Sequence, residues 1–315
     1  MTAAPNGDRS QSIDMTRIGP AARRGHVSAL LVGLLILAAA AARAADGDAP
    51  VERPRLGWEP RAEIGVGLHH QSVKVVGSNT LGGTAKASRP ILTSVFAFNG
   101  GLASPELADG LVRPRIYLRG GYKTPVAEDQ RLVDDNTVIT PSDYQGDPTL
   151  CGTNVAPGTA GCEHNVRLDI QLRNLWSVGT GVELELPFEF QTFRAELGLE
   201  YVGEELQYTG TSVRVDRGVL PGGGAGQILA TVSLPQTTRT DFVHTLGPRA
   251  ALSVEVAEVG PVSVQFGVET TVAFYLGDYD LRFGRTDGAE SQSYGVQGKD
   301  PFLIQAGGVL RFGWR

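Results

Sequence analysis

From residue 61 onward the chain alternates apolar and polar positions with a period of two, the signature of half-buried strands. The clearest case is 262–276. There Val262, Val264, Phe266, Val268, Val272 and Phe274 share one face, and Ser263, Gln265, Glu269 and Thr271 the other. The same alternation predicts strands at 112–123, 168–186, 193–201, 244–256 and 302–314, and less cleanly at 61–76 and 89–102. In the first of these two, Ile64, Val66 and Leu68 are regular, but the phase after His70 is not legible. In 168–186, Leu168, Ile170, Leu172, Trp176, Val178, Val182, Leu184 and Leu186 read as one continuous apolar face.

The eight predicted strands are longer than the usual ~5–6 residues. Their connections alternate in length. Short ones fall near 103–109, 187–192 and 257–261, and long ones near 77–88, 124–164, 216–238 and 277–300. Long strands with one-sided loops predict a transmembrane, antiparallel, up-and-down β-barrel of class all-β. It has eight strands, or ten if 124–164 holds a further hairpin, for which Arg131 to Thr140 is the candidate. Aromatic residues are expected in girdles at both ends of the apolar band, here Trp176, Phe188, Phe193, Phe274, Phe302, Phe312 and Trp314. Ten residues at ~3.3 Å each and a tilt of ~40° rise about 25 Å, the height of such a band. A soluble sandwich would alternate too, but it needs neither such long strands nor one-sided loops.

Composition changes this picture little. Net charge is −6, aromatics are 7 % and charged residues 20 %, which is too apolar for a disordered chain. No basic tract lies beyond the first 45 residues, so nucleic acid is not expected as a partner. The N-terminal region reads as an address. Arg23 and Arg24 precede an apolar run from Val27 to Ala42, and Ala42-Arg43-Ala44 fits an A-x-A cleavage site. The 16-residue run is shorter than the ~20 residues of a spanning helix. Residues 1–44 are therefore expected to be a secretory signal peptide, with Met15 an alternative start. Residues 45–59 form a short periplasmic segment, with no added domain for peptidoglycan or active transport. Export suits the two cysteines: Cys151 and Cys162 are expected to form a disulfide across a Gly/Pro/Thr-rich stretch.

The polar faces of the strands point to a charged lumen. The acids are Glu63, Asp169, Glu183, Glu185, Glu196, Glu200, Glu204, Glu255 and Glu269. The bases are Arg113, Arg115, Arg119, Lys123, Arg173, Arg194, Arg249 and Arg311. An eight-stranded interior is just wide enough for side chains to fill. Near-balanced charge predicts a paired plug, since a selective pore usually shows rings of one sign. No H-E-x-x-H, G-x-S-x-G or P-loop motif occurs, and the histidines at 69, 70, 164 and 244 come without a defined Ser/acid partner. No catalytic residue, metal site or cofactor is expected.

The last strand carries Gln305, Gly307, Leu310 and Phe312 in the order polar, Gly, hydrophobic, aromatic. This resembles the C-terminal assembly signal of outer-membrane barrels, although Gly313, Trp314 and Arg315 follow where that pattern commonly ends on the aromatic. Over residues 60–315 the chain resembles the small eight-stranded outer-membrane barrels of OmpA/OmpX type. The resemblance implies a bacterial outer-membrane location, with outer-membrane lipid and the barrel-assembly machinery as partners. It names no specific function. The expectation is a non-enzymatic structural or surface-interaction protein whose extracellular loops can meet an external partner. A small channel for polar solutes and a lipid-modifying enzyme are the alternatives.

Overall fold

The computed structural model describes residues 57–108, 112–126, 130–188, 191–219 and 225–314. The expected signal peptide and most of the segment at 45–59 lie outside them. Twelve strands form one antiparallel sheet: β1 (Glu59–Asn79), β2 (Thr84–Ala103), β3 (Arg113–Pro125), β4 (Gln130–Ile139), β5 (Gly161–Phe188), β6 (Gln191–Val219), β7 (Ala225–Ser233), β8 (Thr237–Val259), β9 (Val262–Tyr275), β10 (Asp280–Asp287), β11 (Glu290–Gly298) and β12 (Phe302–Trp314). A short helix, α1 (Pro141–Gly146), and a 3₁₀ turn (Pro148–Cys151) separate β4 from β5.

Eight of the strands close a ring in the order β1-β2-β3-β5-β6-β8-β9-β12 and back to β1. The register fixes its geometry. The path of paired residues runs from Phe266 through Leu310, Ile64, Phe98, Tyr122, Trp176, Gly203 and His244. It returns to the end of β9 at Leu276, ten residues from its start. Eight strands with that stagger tilt by about 41°, given ~3.3 Å per residue and ~4.8 Å between strands.

Around the ring an apolar band faces outward. It includes Ile64, Val66, Phe96, Phe98, Leu118, Val182, Leu197, Leu199, Leu252 and Val268, all exposed. One end of the ring has short connections (the turn end); the other carries the remaining four strands (the hairpin end). Aromatic and histidine side chains rim the band toward the hairpins. Trp176 packs on Tyr201 at 5.0 Å, the Tyr201 hydroxyl meets His244 Nδ1 at 2.6 Å, and Phe274 meets Phe302 edge-on at 6.1 Å. At the turn end lie Phe193, Phe312 and Trp314. Phe188 closes β5, and its side chain lies outside the described residues.

Beyond the band the alternation inverts. In β1 the outward residues Ile64, Val66 and Leu68 give way to Ser72 and Lys74, while Val73 and Val75 turn inward and are fully buried. The hairpin end is thus built like a soluble protein, apolar inside and polar outside. Two groups of strands face each other there: β2-β1-β11-β10, and β4-β5-β6 with β7 and the start of β8. Val73, Val75, Leu132, Val166, Leu168, Ile170, Leu172, Leu206, Tyr208, Tyr294 and Val296 fill the space between them. The Tyr294 ring lies so close to Gly210 that a Cβ there would stand 2.3 Å from its edge. Gln130 bridges one open edge through hydrogen bonds to the Leu92 backbone, and paired Tyr208 and Tyr279 hydroxyls bridge the other.

This arrangement corrects the sequence reading of the connections. Residues 77–88 are not a long loop, because β1 and β2 run on and turn tightly at 80–83. The stretches 216–238 and 277–300 hold the hairpins β6–β7 and β10–β11. Arg131 to Ile139 is indeed strand, with Thr140 capping α1, but β4 pairs only with β5 among the described residues, so the ring stays at eight. The long connections fold because they carry inward apolar residues of their own, such as Leu132, Leu281 and Val296.

Candidate functional site

The ring interior within the band is filled by charged side chains. The strand alternation that turns leucine and valine outward turns their neighbours inward. Arg115, Arg119 and Lys123 of β3 face Glu183 and Glu185 of β5, Arg194, Glu196, Glu200 and Glu204 of β6, Arg249 of β8, Glu269 of β9 and Arg311 of β12. Glu59, Arg61 and Glu63 of β1 complete the set. Nearly all of these residues are fully buried.

The pairing is layered. Nearest the turn end, Glu59 accepts from Arg61 at 3.0 Å, Arg115 at 2.7 Å and Arg194 at 3.1 Å. Next, Glu183 takes a two-pronged contact from Arg61 at 2.5 and 2.7 Å, with Arg115 at 3.6 Å and Arg311 at 3.9 Å. Glu196 holds Arg311 at 2.6 Å and Arg249 at 2.7 Å, and Glu269 holds Arg119 at 2.6 Å and Arg249 at 2.7 Å. Glu63 bonds Arg311 at 2.6 Å. Toward the hairpin end the charge thins. Lys123 donates to Gln305, and Gln305 meets His69 Nδ1 at 3.2 Å. His69 then lies 3.5 Å from Glu204, and Tyr275 donates to Gln71 at 3.0 Å.

Each guanidinium touches two or more carboxylates, and Glu59, Glu63, Glu183, Glu196, Glu200 and Glu269 each touch two or more cations, with Glu185 against Arg194. Moving an ion out of water costs several kcal/mol, and such burial is tolerable only where its partners saturate it. Cross-strand sharing gives every charge inside the band an opposite partner, although nitrogens of Arg115, Arg119, Arg194, Arg249 and Arg311 stay buried without a hydrogen bond of their own. The cavity beside Lys123, Glu269, Thr271 and Gln305 is about 20 Å³, room for about one water. Above it the dry core of the hairpin end closes the axis a second time.

Several sequence expectations change here. Asp169 and Arg173 are not in the lumen. A bulge between Leu172 and Asn174 reverses the facing of β5, so Leu168, Ile170 and Leu172 point inward and Asp169 lies against Arg167 and Arg131 between β4 and β5. Arg173 is exposed and bonds Gln171. Arg113 sits at the turn-end mouth beside Glu106, and Glu255 is half-buried beside a second bulge. Glu59 and Arg61 were missed although they stand in phase with Glu63, and the inward Gln71 was missed with them. Gln305 of the C-terminal pattern is a lumen ligand, Gly307 packs against Gly67, and Leu310 faces outward with Phe312.

Cys151 and Cys162 form a disulfide. Arg214 and Asp216, both fully buried, pin its loop onto β6: the guanidinium donates to the carbonyls of Cys151, Thr153 and Asn154 at 2.8–3.0 Å, and Asp216 accepts from Ala156 N–H at 2.9 Å. His164 bonds the Leu150 carbonyl at 3.0 Å, and burial pushes its imidazole below the ordinary range. Both sulfurs are consumed in the bridge, so Cys151, Cys162 and His164 do not make a metal site in this state. Replacing both cysteines by serine is expected to destabilise this loop by about 2–3 kcal/mol. Amide exchange should rise at 150–162, with the ring unchanged.

No family model matches the chain, and no curated protein matches it. Among the solved structures similar to it are the following three. Ail, the attachment invasion locus protein of Yersinia pestis, is 9 % identical over 81 % of this chain and 99 % of that one, with a TM-score of 0.23. A Pseudomonas aeruginosa FadL homologue is 9 % identical over 82 % and 90 %, TM-score 0.20. The toluene transporter TodX of P. putida is 10 % identical over 83 % and 90 %, TM-score 0.17. At these values the fold is read from the chain's own strand pairing.

Proposed function

We propose that the chain is a bacterial outer-membrane β-barrel with a closed lumen, and that it works through its hairpin end as a structural or surface-interaction protein. The single observation that carries this is the pair of seals on one axis: a charge-paired plug inside the apolar band and an apolar core directly above it. Two further features favour a membrane setting. The outward stripes run about 8–12 residues per strand, which at the tilt above spans about 20–30 Å. Exposed leucine, valine and phenylalanine right around a ring would aggregate in water but suit lipid. The hairpins then stand on the outer surface, and the short turns on the periplasmic side.

A closed barrel cannot act as a channel. The refolded chain in planar bilayers, its folding confirmed by a heat-modifiable gel shift, is expected to show no discrete conductance steps. Steps that change ion selectivity on Arg115→Glu would replace this reading with the channel. Catalysis has little support: His244 is engaged by Tyr201 and His69 is buried in the plug, so neither presents a free imidazole to a substrate.

A further inference from the structure

Just past the band, the outward face of the β2-β1-β11-β10 sheet is concave. The register sets its side chains in rows: Ser88, Lys74, Gln297 and Asp280, then Lys86, Val76, Gly295 and Arg282. Gly295 stands in the middle of the second row, and a Cβ there would meet nothing nearer than the Leu281 carbonyl at 4.0 Å. Gly295 opens onto a groove of about 920 Å³ that runs across the four strands, with Val76 and the strand backbones on its floor. Lys74 and Lys86 are exposed and make no ion pair among the described residues. Arg282 is 83 % exposed, with one loose contact to Asp280 at 3.5 Å. Three cations thus face one acid.

The height of the groove narrows what it can meet. Lys74 lies four residues beyond His70, where the apolar stripe of β1 ends. At ~3.3 Å per residue and the tilt above, that is about 10 Å past the band. A lysine stem reaches back several ångströms while keeping its ammonium in a polar layer. Lys74 therefore stands at the level of lipid headgroups, and Lys86 and Arg282 one register row further out, about 5 Å along the axis, beside an apolar floor.

We infer that this groove binds the phosphate groups of lipid in the outer leaflet. Lys74, Lys86 and Arg282 supply the charge, and Val76 with the glycine gap accepts the apolar shoulder of the headgroup. The inference rests on the membrane reading given above.

The test uses the full mature chain refolded in zwitterionic detergent. Bound lipid is counted by native mass spectrometry during titration with diphosphoryl lipid A, with dephosphorylated lipid A, and with inorganic phosphate. Lys74→Gln/Lys86→Gln/Arg282→Gln is compared with Arg167→Gln/Arg173→Gln/Arg239→Gln, which removes equal charge from the opposite sheet. The groove variant is expected to bind diphosphoryl lipid A roughly a hundredfold more weakly, about a factor of five per cation. The opposite-sheet variant should bind as the parent does, and the dephosphorylated lipid should bind weakly to all three. Equal loss in both variants, or none in the groove variant, overturns the site. Inorganic phosphate competing at equal concentration would make it a free-anion site and overturn the lipid assignment. A parent chain that fails to give a heat-modifiable form in lipid overturns the membrane reading itself, a result distinct from loss of binding.

Discussion

Glu183→Gln is expected to lower the unfolding free energy of the barrel by about 3–5 kcal/mol, the range for removing one partner of a buried ion pair. The carboxylate is fully buried and lies within 4 Å of the guanidinium groups of Arg61, Arg115, Arg194 and Arg311. A neutral amide leaves those cations to Glu59, Glu63, Glu185 and Glu196, of which Glu59, Glu63 and Glu196 are already shared. The cost falls on the uncompensated positive charge and not on lost packing, because Gln has nearly the same shape. The double variant Glu183→Gln/Arg61→Met should therefore recover most of the loss. Urea unfolding in lipid vesicles measures both. A single variant within 1 kcal/mol of the parent would mean that water already screens the site and the plug is not dry.

Leu168→Ala is expected to cost about 2–5 kcal/mol, the range for emptying a well-packed core position. Leu168 is fully buried between the two groups of strands at the hairpin end, among Val166, Ile170, Leu206 and Tyr208. The loss should be local. Amides at 161–172 and 204–216 should lose protection while those of the ring within the band keep theirs. Leu199→Ala, on the outward band, removes the same atoms from a surface that does not contact this core. It should leave hairpin-end protection unchanged. Uniform loss of protection in both variants would show one cooperative unit where the structure has two.

The sequence announced the ring clearly and the hairpin end poorly, and β1 and β5 show why. A membrane-facing barrel and a soluble sandwich share a period of two but place apolar residues on opposite faces. Where β1 crosses from one regime to the other, its apolar phase shifts between Leu68 and Val73, and the alternation after His70 looks broken. In β5 the same crossing coincides with the bulge at Arg173. The bulge reverses the facing at the point where the polarity also reverses, and the two cancel. Leu168 to Leu186 then read as one unbroken stripe, which placed Asp169 and Arg173 in a lumen they do not enter. Most of the lumen network was legible because its residues stand opposite outward apolar positions, as Glu183 does between Val182 and Leu184. Glu59 followed the same rule and was lost because the strand was started at residue 61; Arg61, in the same phase, was passed over at the strand's first position. Arg214 and Asp216 gave no signal of this kind. Their role depends on a loop from 151–156 folding back onto β6, which local alternation does not encode.

A barrel that crosses the membrane with its interior filled shields two sets of positions from water, one in lipid and one inside the ring. Single cysteines in a Cys151→Ser/Cys162→Ser background test it directly, by reaction with a small charged thiol reagent in vesicles. Ser78→Cys, exposed beyond the band, should react at once. Leu199→Cys should be protected by lipid and react only with a membrane-permeant reagent. Ser177→Cys, buried inside the ring at the height of the band, should resist both until the chain is unfolded. Rapid modification of Ser177→Cys by the charged reagent in the folded barrel would mean a water-filled lumen and would contradict the account.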